Sequence, residues 1–261
     1  MSGTDTRWAF KLCFEREDRK REKLVANGND QSGFAGNVIR VEGKQARSIL
    51  HWLTWADTDY LGARRLLMDG LLLQGAILSN TAIEKYLKAL IALHGEKIVW
   101  IHDPLQIYKT LREQGSSLLL NESFLELLGK SYEMRYPDDL KDGYNIVLSQ
   151  ALLLDALDQT VKSITNGVTF GNAEGIAKRK LDLLVEQHAP QLVLLNTALG
   201  SIARDTLLDQ PSLVFECRFL NGNYLGAEYT TAKIKDASFG REGFVQKSDK
   251  SFQLAYPPQN S

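Results

Sequence analysis

The chain has 261 residues, of which 44% are hydrophobic and 24% charged, and its formal net charge is −1 at pH 7. This is the balance of a globular protein with enough apolar material for a core. A net charge so close to zero excludes a global field that attracts nucleic acid or an anionic membrane, so RNA binding would need a local patch. Cys13 and Cys217 lie far apart and form no metal-site spacing, which fits a reducing compartment.

Residues 1–46 are interpreted as an N-terminal extension with no signal-peptide pattern. "RWAFKLCFE" alternates apolar and polar residues and predicts a strand, and "VIRVEG" predicts a second short strand. Elsewhere, the most apolar segment, 66–93, carries several charges and is no candidate for crossing a membrane. We therefore expect a cytoplasmic protein with no membrane partner.

Five amphipathic helices are predicted in the middle of the chain. The first ends near Gly70, which fits a C′ glycine, and the second covers about 72–94 and is apolar around most of its circumference. A third starts after Asp103, a good N-cap, a fourth lies in "NESFLELLGKSYEMRY", and a fifth is predicted over 144–164. Short loops favour an antiparallel up-and-down bundle, so the predicted fold class is mainly α.

The predicted domains are the extension 1–46, the helical bundle 47–166 and a C-terminal region 172–261. "TNGVTFGNAEG" is interpreted as a linker, and helices are expected at about 173–188 and 191–208. "SLVFECRFLNGNYLGAEYTT" then alternates around an Asn-Gly pair and predicts a β-hairpin. The bundle therefore carries a small α+β appendage at its C-terminal end.

Four pieces of the central segment occur in the order "WADTDYLGARRLL", "NTAIEKYLKALIALHG", "HDPLQIYKTL" and "YEMRYPDDL". Together, over about 48–165, they resemble the HEPN family (higher eukaryotes and prokaryotes nucleotide-binding domain). The resemblance implies a helical bundle that is usually dimeric. Some HEPN proteins are ribonucleases of toxin–antitoxin and defence systems, whereas others lack activity and work beside a minimal nucleotidyltransferase or bind nucleotides or partners.

The ribonuclease branch of that family carries an arginine, four to six further residues and then a histidine at the start of the last helix. Here Arg135 is followed by "YPDDLKDGYN", which has no histidine, and Arg47 with His51 is interpreted as a surface pair. The sequence therefore resembles the non-catalytic branch, and no catalytic residue is assigned. One alternative is a divergent metal-independent ribonuclease that uses Arg135 with Asp138 or Tyr136 in place of the histidine, and another is an interaction scaffold without a ligand.

The candidate ligand-binding residues are Arg135, Tyr136, Asp138, Lys85, Lys88, Glu84 and Asp57. Arg135 could hold a phosphate while Tyr136 stacks on a base. The competing interpretation is that Pro137 ends the fourth helix and that Arg135 pairs with Asp138 or Asp139.

Glu84, Lys85 and Lys88 form a charged seam on the apolar second helix, and such a seam must reach either water or a groove. We hypothesise that it lines a cleft near Arg135 and supplies the local positive patch. Asp57, in the middle of the first helix, is expected mainly to neutralise Arg64 or Lys88, with Mg²⁺ binding as the less favoured alternative.

No metal site is predicted, because His94 and His102 lack a third ligand and are explained by the helix dipole and by loop packing. Trp52, Trp55 and Trp100 are expected in the core or on a dimer surface. The predicted function is a HEPN-type module that binds a nucleotide, RNA or a partner and has no cofactor. It is expected to be a homodimer, with a nucleotidyltransferase as a possible partner protein.

Overall fold

The structure, a computed structural model, describes residues 9–12, 41, 43–94, 101–166, 168–172, 175–220, 223–231 and 251–253. The charged run of the N-terminal extension, almost all of the predicted strand "VIRVEG", and Trp100 lie outside the described residues. Eight helices are present in this part of the chain: α1 Gly43–Met68, α2 Leu72–Leu93, α3 Pro104–Glu113, α4 Glu122–Glu133, α5 Gln150–Thr165, α6 Lys180–Glu186, α7 Pro190–Val193 and α8 Arg204–Asp209. The mainly α fold class is confirmed.

The strands of the described residues form two sheets. The strands are β1 Ala9–Leu12, β2 Asn145–Ser149, β3 Val168–Asn172, β4 Gly175–Ala177, β5 Ser212–Leu220, β6 Asn223–Thr231 and β7 Ser251–Gln253. One sheet has the order β1-β3-β4 and the other β6-β5-β2-β7. The predicted strand near the N-terminus is thus confirmed as β1, and the predicted Asn-Gly hairpin as β5 and β6.

Helices α1 and α2 run antiparallel and are joined by a tight turn. Gly70 has φ +82°, and the amides of Gly70 and Leu71 bond back to Leu67 and Leu66. This left-handed glycine is the predicted C′ residue. Helix α2 then packs against α1, α3, α4 and α5, so that it is buried around most of its circumference, as its sequence predicted.

The start of the third helix also follows the sequence signals. Asp103 is the N-cap and accepts a hydrogen bond from the Leu105 amide at 2.9 Å. Pro104 occupies the first turn, where an amide hydrogen is not needed. The cap fixes the position of the residue just before it, His102, against α2.

The prediction that residues 144–149 belong to the fifth helix is wrong, since β2 lies there and α5 begins at Gln150. All five residues of β2 are buried, and the strand pairs with β5 on one edge and β7 on the other. A strand buried on both faces is a continuous apolar run, which periodicity cannot distinguish from helix. Ser149 then caps α5 by accepting from the Leu152 amide.

Three expectations for the region after α5 also need correction. The segment interpreted as a linker contains β3, which pairs with β1, and the helix expected from residue 173 begins only at Lys180. The helix expected over 191–208 is interrupted between α7 and α8, where Asn196 accepts a bond from the Leu199 amide and donates one to the Leu192 carbonyl. Such side-chain bonds compete with helical hydrogen bonds.

Candidate functional site

Two residues of the charged α2 seam, Glu84 and Lys88, form a buried ion pair and are not a solvated edge. Lys88 Nζ donates to Glu84 Oε1 at 2.6 Å, and the two side chains are only 3% and 8% exposed. The residues are one helical turn apart, which brings the side chains together on one face. Since an uncompensated buried charge is costly, each of the two groups requires the other.

His102 is a third member of this group, and the sequence did not reveal its role. Its Nδ1 lies 3.1 Å from Glu84 Oε1 and 3.3 Å from Oε2, and 58% of the side chain is exposed. Because a carboxylate can only accept a hydrogen bond, Nδ1 donates, and in the neutral imidazole the lone pair is on Nε2. The sequence signal was a histidine directly before the helix cap of α3, but only packing shows that this cap faces Glu84.

Aromatic rings connect His102 to Arg135. The rings of His102 and Tyr132 stack with centroids 6.5 Å apart and an interplanar angle of 14°. The Arg135 guanidinium carbon lies 4.4 Å from the Tyr132 centroid and 5.1 Å from that of Tyr136, and Arg135 Nη2 donates to Tyr136 Oη at 3.2 Å. A guanidinium stacks readily on aromatic faces, so the rings hold it in place without neutralising it.

These contacts form one continuous set, which we call the Arg135 cluster: Glu84, Lys88, His102, Tyr132, Arg135 and Tyr136. Contacts link Glu84 and Lys88 of the α2 seam to Arg135 through His102 and Tyr132. Arg135 is exposed, and no carboxylate of the described residues forms an ion pair with it. The competing interpretation, in which Arg135 pairs with Asp138 or Asp139, is therefore wrong.

Lys85 has different partners from Lys88. Its Nζ bonds Asp59 Oδ2 at 2.5 Å and lies 5.4 Å from the centroid of Trp55. Lys88 Nζ lies similarly, 5.7 Å from the Trp52 ring. Trp55 is 63% exposed and does not belong to the core, contrary to one of the two expected locations.

The other two predicted candidates behave differently from each other. Asp57 is buried away from the Arg135 cluster, accepting a hydrogen bond from Tyr86 Oη at 2.6 Å with Arg179 Nη1 3.5 Å away. Burial raises the pKa of Asp57, while the Arg179 charge and the Tyr86 bond lower it. Asp57 therefore joins α1 to α2 and α6. Its partner is Arg179, and the expectation that it neutralises Arg64 or Lys88 is wrong, because those two residues pair with Asp158 and Glu84. Asp138 lies exposed on the 3₁₀ turn that follows α4.

A second buried polar group, the Arg64 cluster, was not found from the sequence. It consists of Tyr60, Arg64, Asp158 and Asn196. Arg64 pairs with Asp158, and both side chains are fully buried. Tyr60 Oη donates to Asp158 at 2.8 Å, and Arg64 Nη2 donates to the Leu194 carbonyl at 2.5 Å. Burial raises the pKa of Asp158 to about 6, although the Arg64 charge lowers it.

The Arg64 cluster attaches the segment after α7 to α1 and α5. A second pair strengthens the same junction, since Arg204 Nη2 lies 2.7 Å from Asp155 Oδ2 and Thr197 donates to the other carboxylate oxygen at 2.8 Å. The donors of Arg64 are directed at a carboxylate and at carbonyls of the chain itself. We therefore assign the Arg64 cluster a role in stabilising the fold rather than in binding a ligand.

Metal binding and membrane insertion find no support in the part of the chain that the structure describes. Within it, no three side chains of His, Cys, Asp or Glu are grouped so that they could hold a metal ion. None of its helices is both long and apolar enough to span a bilayer.

Comparison with known families bears on the central segment. Residues 49–157 match the family model of the HEPN domain, which confirms the resemblance predicted from the sequence for this segment. The matched segment begins in α1, ends in α5 and holds every residue of the Arg135 cluster. In general terms, this family match supports a nucleotide- or RNA-binding module. No curated protein and no solved structure matches the chain.

Proposed function

We propose that this protein is a HEPN-type nucleotide- or RNA-binding module whose ligand site is the Arg135 cluster. The observation that carries the proposal is the state of Arg135: an exposed guanidinium that lies between Tyr132 and Tyr136 and is paired with no carboxylate of the described residues. A planar guanidinium binds phosphate oxygens in a bidentate manner. Tyr136, which is 52% exposed, offers a ring face for a base.

The charges within the cluster support binding of an anion. Lys88 neutralises the buried carboxylate of Glu84, so the positive charge of Arg135 is not cancelled from within the cluster. Asp138, two residues beyond Tyr136, opposes an anionic ligand and limits its affinity. The cluster thus supplies the local positive site that a net charge of −1 does not.

The proposal extends to the biological setting implied by the family resemblance. The module acts as a homodimer in the cytoplasm, as a toxin–antitoxin or defence component with a nucleotidyltransferase as its partner protein. A copurifying nucleotidyltransferase supports this setting, and a protein that remains monomeric at micromolar concentration contradicts the homodimer.

The test of the binding site is a titration of the protein with a fluorescent adenine nucleotide. Arg135→Ala should weaken binding about tenfold or more, since one charge-assisted phosphate contact contributes about 1.5–3 kcal/mol. The matched control is Arg65→Ala, which removes an arginine that is 66% exposed and paired with Asp69 outside the cluster. Equal affinity of the wild type and Arg135→Ala would overturn the proposed site.

A second candidate function, RNA cleavage, is favoured by one observation. His102 Nδ1 is held by Glu84, so that Nε2 can take a proton, and Tyr132 links this imidazole to Arg135. Nε2 would accept the proton of a 2′-hydroxyl as the 2′-oxygen bonds to phosphorus and the bond from phosphorus to the 5′-oxygen breaks. The imidazolium then returns the proton to the leaving 5′-oxygen, while Arg135 stabilises the phosphoryl oxygens.

This second function is tested by incubating labelled RNA with the protein in EDTA. The expected products are a 2′,3′-cyclic phosphate and a 5′-hydroxyl, formed by the wild type and lost in both His102→Gln and Arg135→Ala. His102 would then replace Asp138 and Tyr136 as substitute for the missing family histidine. Intact RNA with the wild type would exclude cleavage and leave the binding module as the function.

A further inference from the structure

We propose that the ligand of this site is a single-stranded nucleic acid of several nucleotides, which places a second base on Trp55. This inference rests on the proposed function, because it extends the nucleotide site at Arg135 along the surface. The Arg135 cluster supplies one exposed ring with a cation beside it. The surface formed by α1 and α2 supplies another.

The second position combines an exposed ring with a cation. Trp55 lies in the middle of α1 and is 63% exposed, and Lys85 Nζ lies 5.4 Å from its ring centroid. A single exposed apolar residue is common on protein surfaces and needs no explanation. A ring with an adjacent cation, however, is the combination that holds one base and one phosphate.

A line of contacts leads from Arg135 to Trp52, a ring close to Trp55 on α1. Trp52 lies three residues before Trp55 and therefore on the same face of α1. Lys88 Nζ lies 5.7 Å from the Trp52 ring centroid and bonds Glu84 at 2.6 Å. Glu84 in turn contacts His102, which stacks on Tyr132 beside Arg135. Trp55 thus lies on the same face of α1 as Trp52, the ring that the Arg135 cluster contacts through Lys88.

The chemistry of this line selects the occupant. An exposed ring with a cation beside it at each of two positions matches a chain that carries a base and a phosphate in every nucleotide. A duplex is excluded as the ligand because its base faces are already stacked on each other. A mononucleotide occupies only one of the two positions. Lys85 shares its charge with Asp59, so we expect Trp55 to contribute mainly by stacking and Arg135 mainly by charge.

The test measures fluorescence anisotropy with a labelled uridine oligonucleotide, its mononucleotide and the oligonucleotide annealed to its complement. Trp55→Ala should weaken oligonucleotide binding roughly tenfold, leave mononucleotide binding unchanged and keep the salt dependence. Trp55→Phe, which retains a ring, should recover most of the affinity. Arg135→Ala should weaken both single-stranded ligands and lower the salt slope for the oligonucleotide by about 0.7.

The control is Leu119→Ala, at a residue that is 74% exposed and outside this line of contacts. If Arg135→Ala weakens binding but Trp55→Ala does not affect the oligonucleotide, the extended site is wrong and the proposed function stands. If Arg135→Ala leaves mononucleotide binding unchanged, the proposed function itself fails. Equal binding of the duplex and the single strand would overturn the assignment of the ligand.

Discussion

The Arg64 cluster and the Arg135 cluster are built from similar parts and differ in one respect. Each contains a buried ion pair, Arg64 with Asp158 in one and Lys88 with Glu84 in the other. The first is closed, because its donors meet a carboxylate and carbonyls inside the protein. The second is open, because its contacts continue to His102, which is 58% exposed.

This difference shows that a buried ion pair is weak evidence of function when it is considered alone. Structural networks and active sites both contain buried charges. What distinguishes the Arg135 cluster is that its polar contacts reach the surface and end at Arg135, a cation that pairs with no carboxylate of the described residues. The four predictions that follow test this distinction, from the largest expected effect to the smallest.

Removal of Arg64 should cause the largest loss of stability. Arg64→Ala leaves the carboxylate of Asp158 buried and uncompensated, which costs about 3–5 kcal/mol of unfolding free energy. Urea denaturation measures the loss, with Arg65→Ala at the exposed neighbouring pair expected to change stability by less than about 1 kcal/mol. Nucleotide affinity of the folded fraction should not change. If Arg64→Ala lowered the unfolding free energy no more than Arg65→Ala does, the description of the Arg64 cluster as a closed network would be wrong.

The pH dependence of stability should report on Asp158. Its folded pKa of about 6 lies above its ordinary value of 3.8, so the native state binds more protons between these values than the unfolded state does. The unfolding free energy should therefore fall as the pH rises from about 4 to about 6, by about 3 kcal/mol, and level off above. Asp158→Asn should flatten this part of the profile. An unchanged profile in the variant would assign the effect to other groups.

Glu84→Gln should affect both stability and binding. The neutral amide leaves Lys88 buried without its counter-charge, and we expect a loss of about 2 kcal/mol in urea denaturation. The variant also loosens His102, so nucleotide affinity should fall, unlike in Arg64→Ala. Asp69→Asn, at an exposed carboxylate, is the control and should change neither quantity. Reduced stability with unchanged nucleotide affinity would mean that the Glu84–Lys88 pair, like the Arg64–Asp158 pair, supports only the fold.

Arg135→Ala should have the smallest effect on stability. Among the described residues, the exposed side chain of Arg135 forms only ring contacts and one hydrogen bond, so the unfolding free energy should change by less than about 1 kcal/mol. The same thermal or urea series that includes Arg64→Ala measures it. A substantial loss would mean that Arg135 supports the end of α4 rather than a ligand.

The sequence predicted those elements whose signals are local. Gly70 and Asp103 are visible as a helix end and a helix start without knowledge of the rest of the fold. The apolar circumference of α2 likewise predicted a central helix. Of the proposed site, Arg135 and the α2 seam were selected from the sequence because a family resemblance and a charged seam on an apolar helix both point to them.

The remaining features depend on residues far apart in the chain. Strand β2 is a strand because β5 and β7 pair with it, and its own sequence fits either a helix or a strand. His102 acquires its role only when α3 packs beside Glu84. Arg64 and Asp158 are 94 residues apart, and no local pattern indicates that they meet. Long-range packing decides all three.

The central position of β2 has a consequence for synthesis. Ser149 is paired with Val214, so during translation the α-helical part emerges while this apolar strand still has open edges. Contacts so distant in sequence slow folding, and exposed strand edges promote aggregation. Strand β2 therefore cannot complete its pairing until β5 has been synthesised. We expect a fragment that stops at the end of α5 to require chaperones.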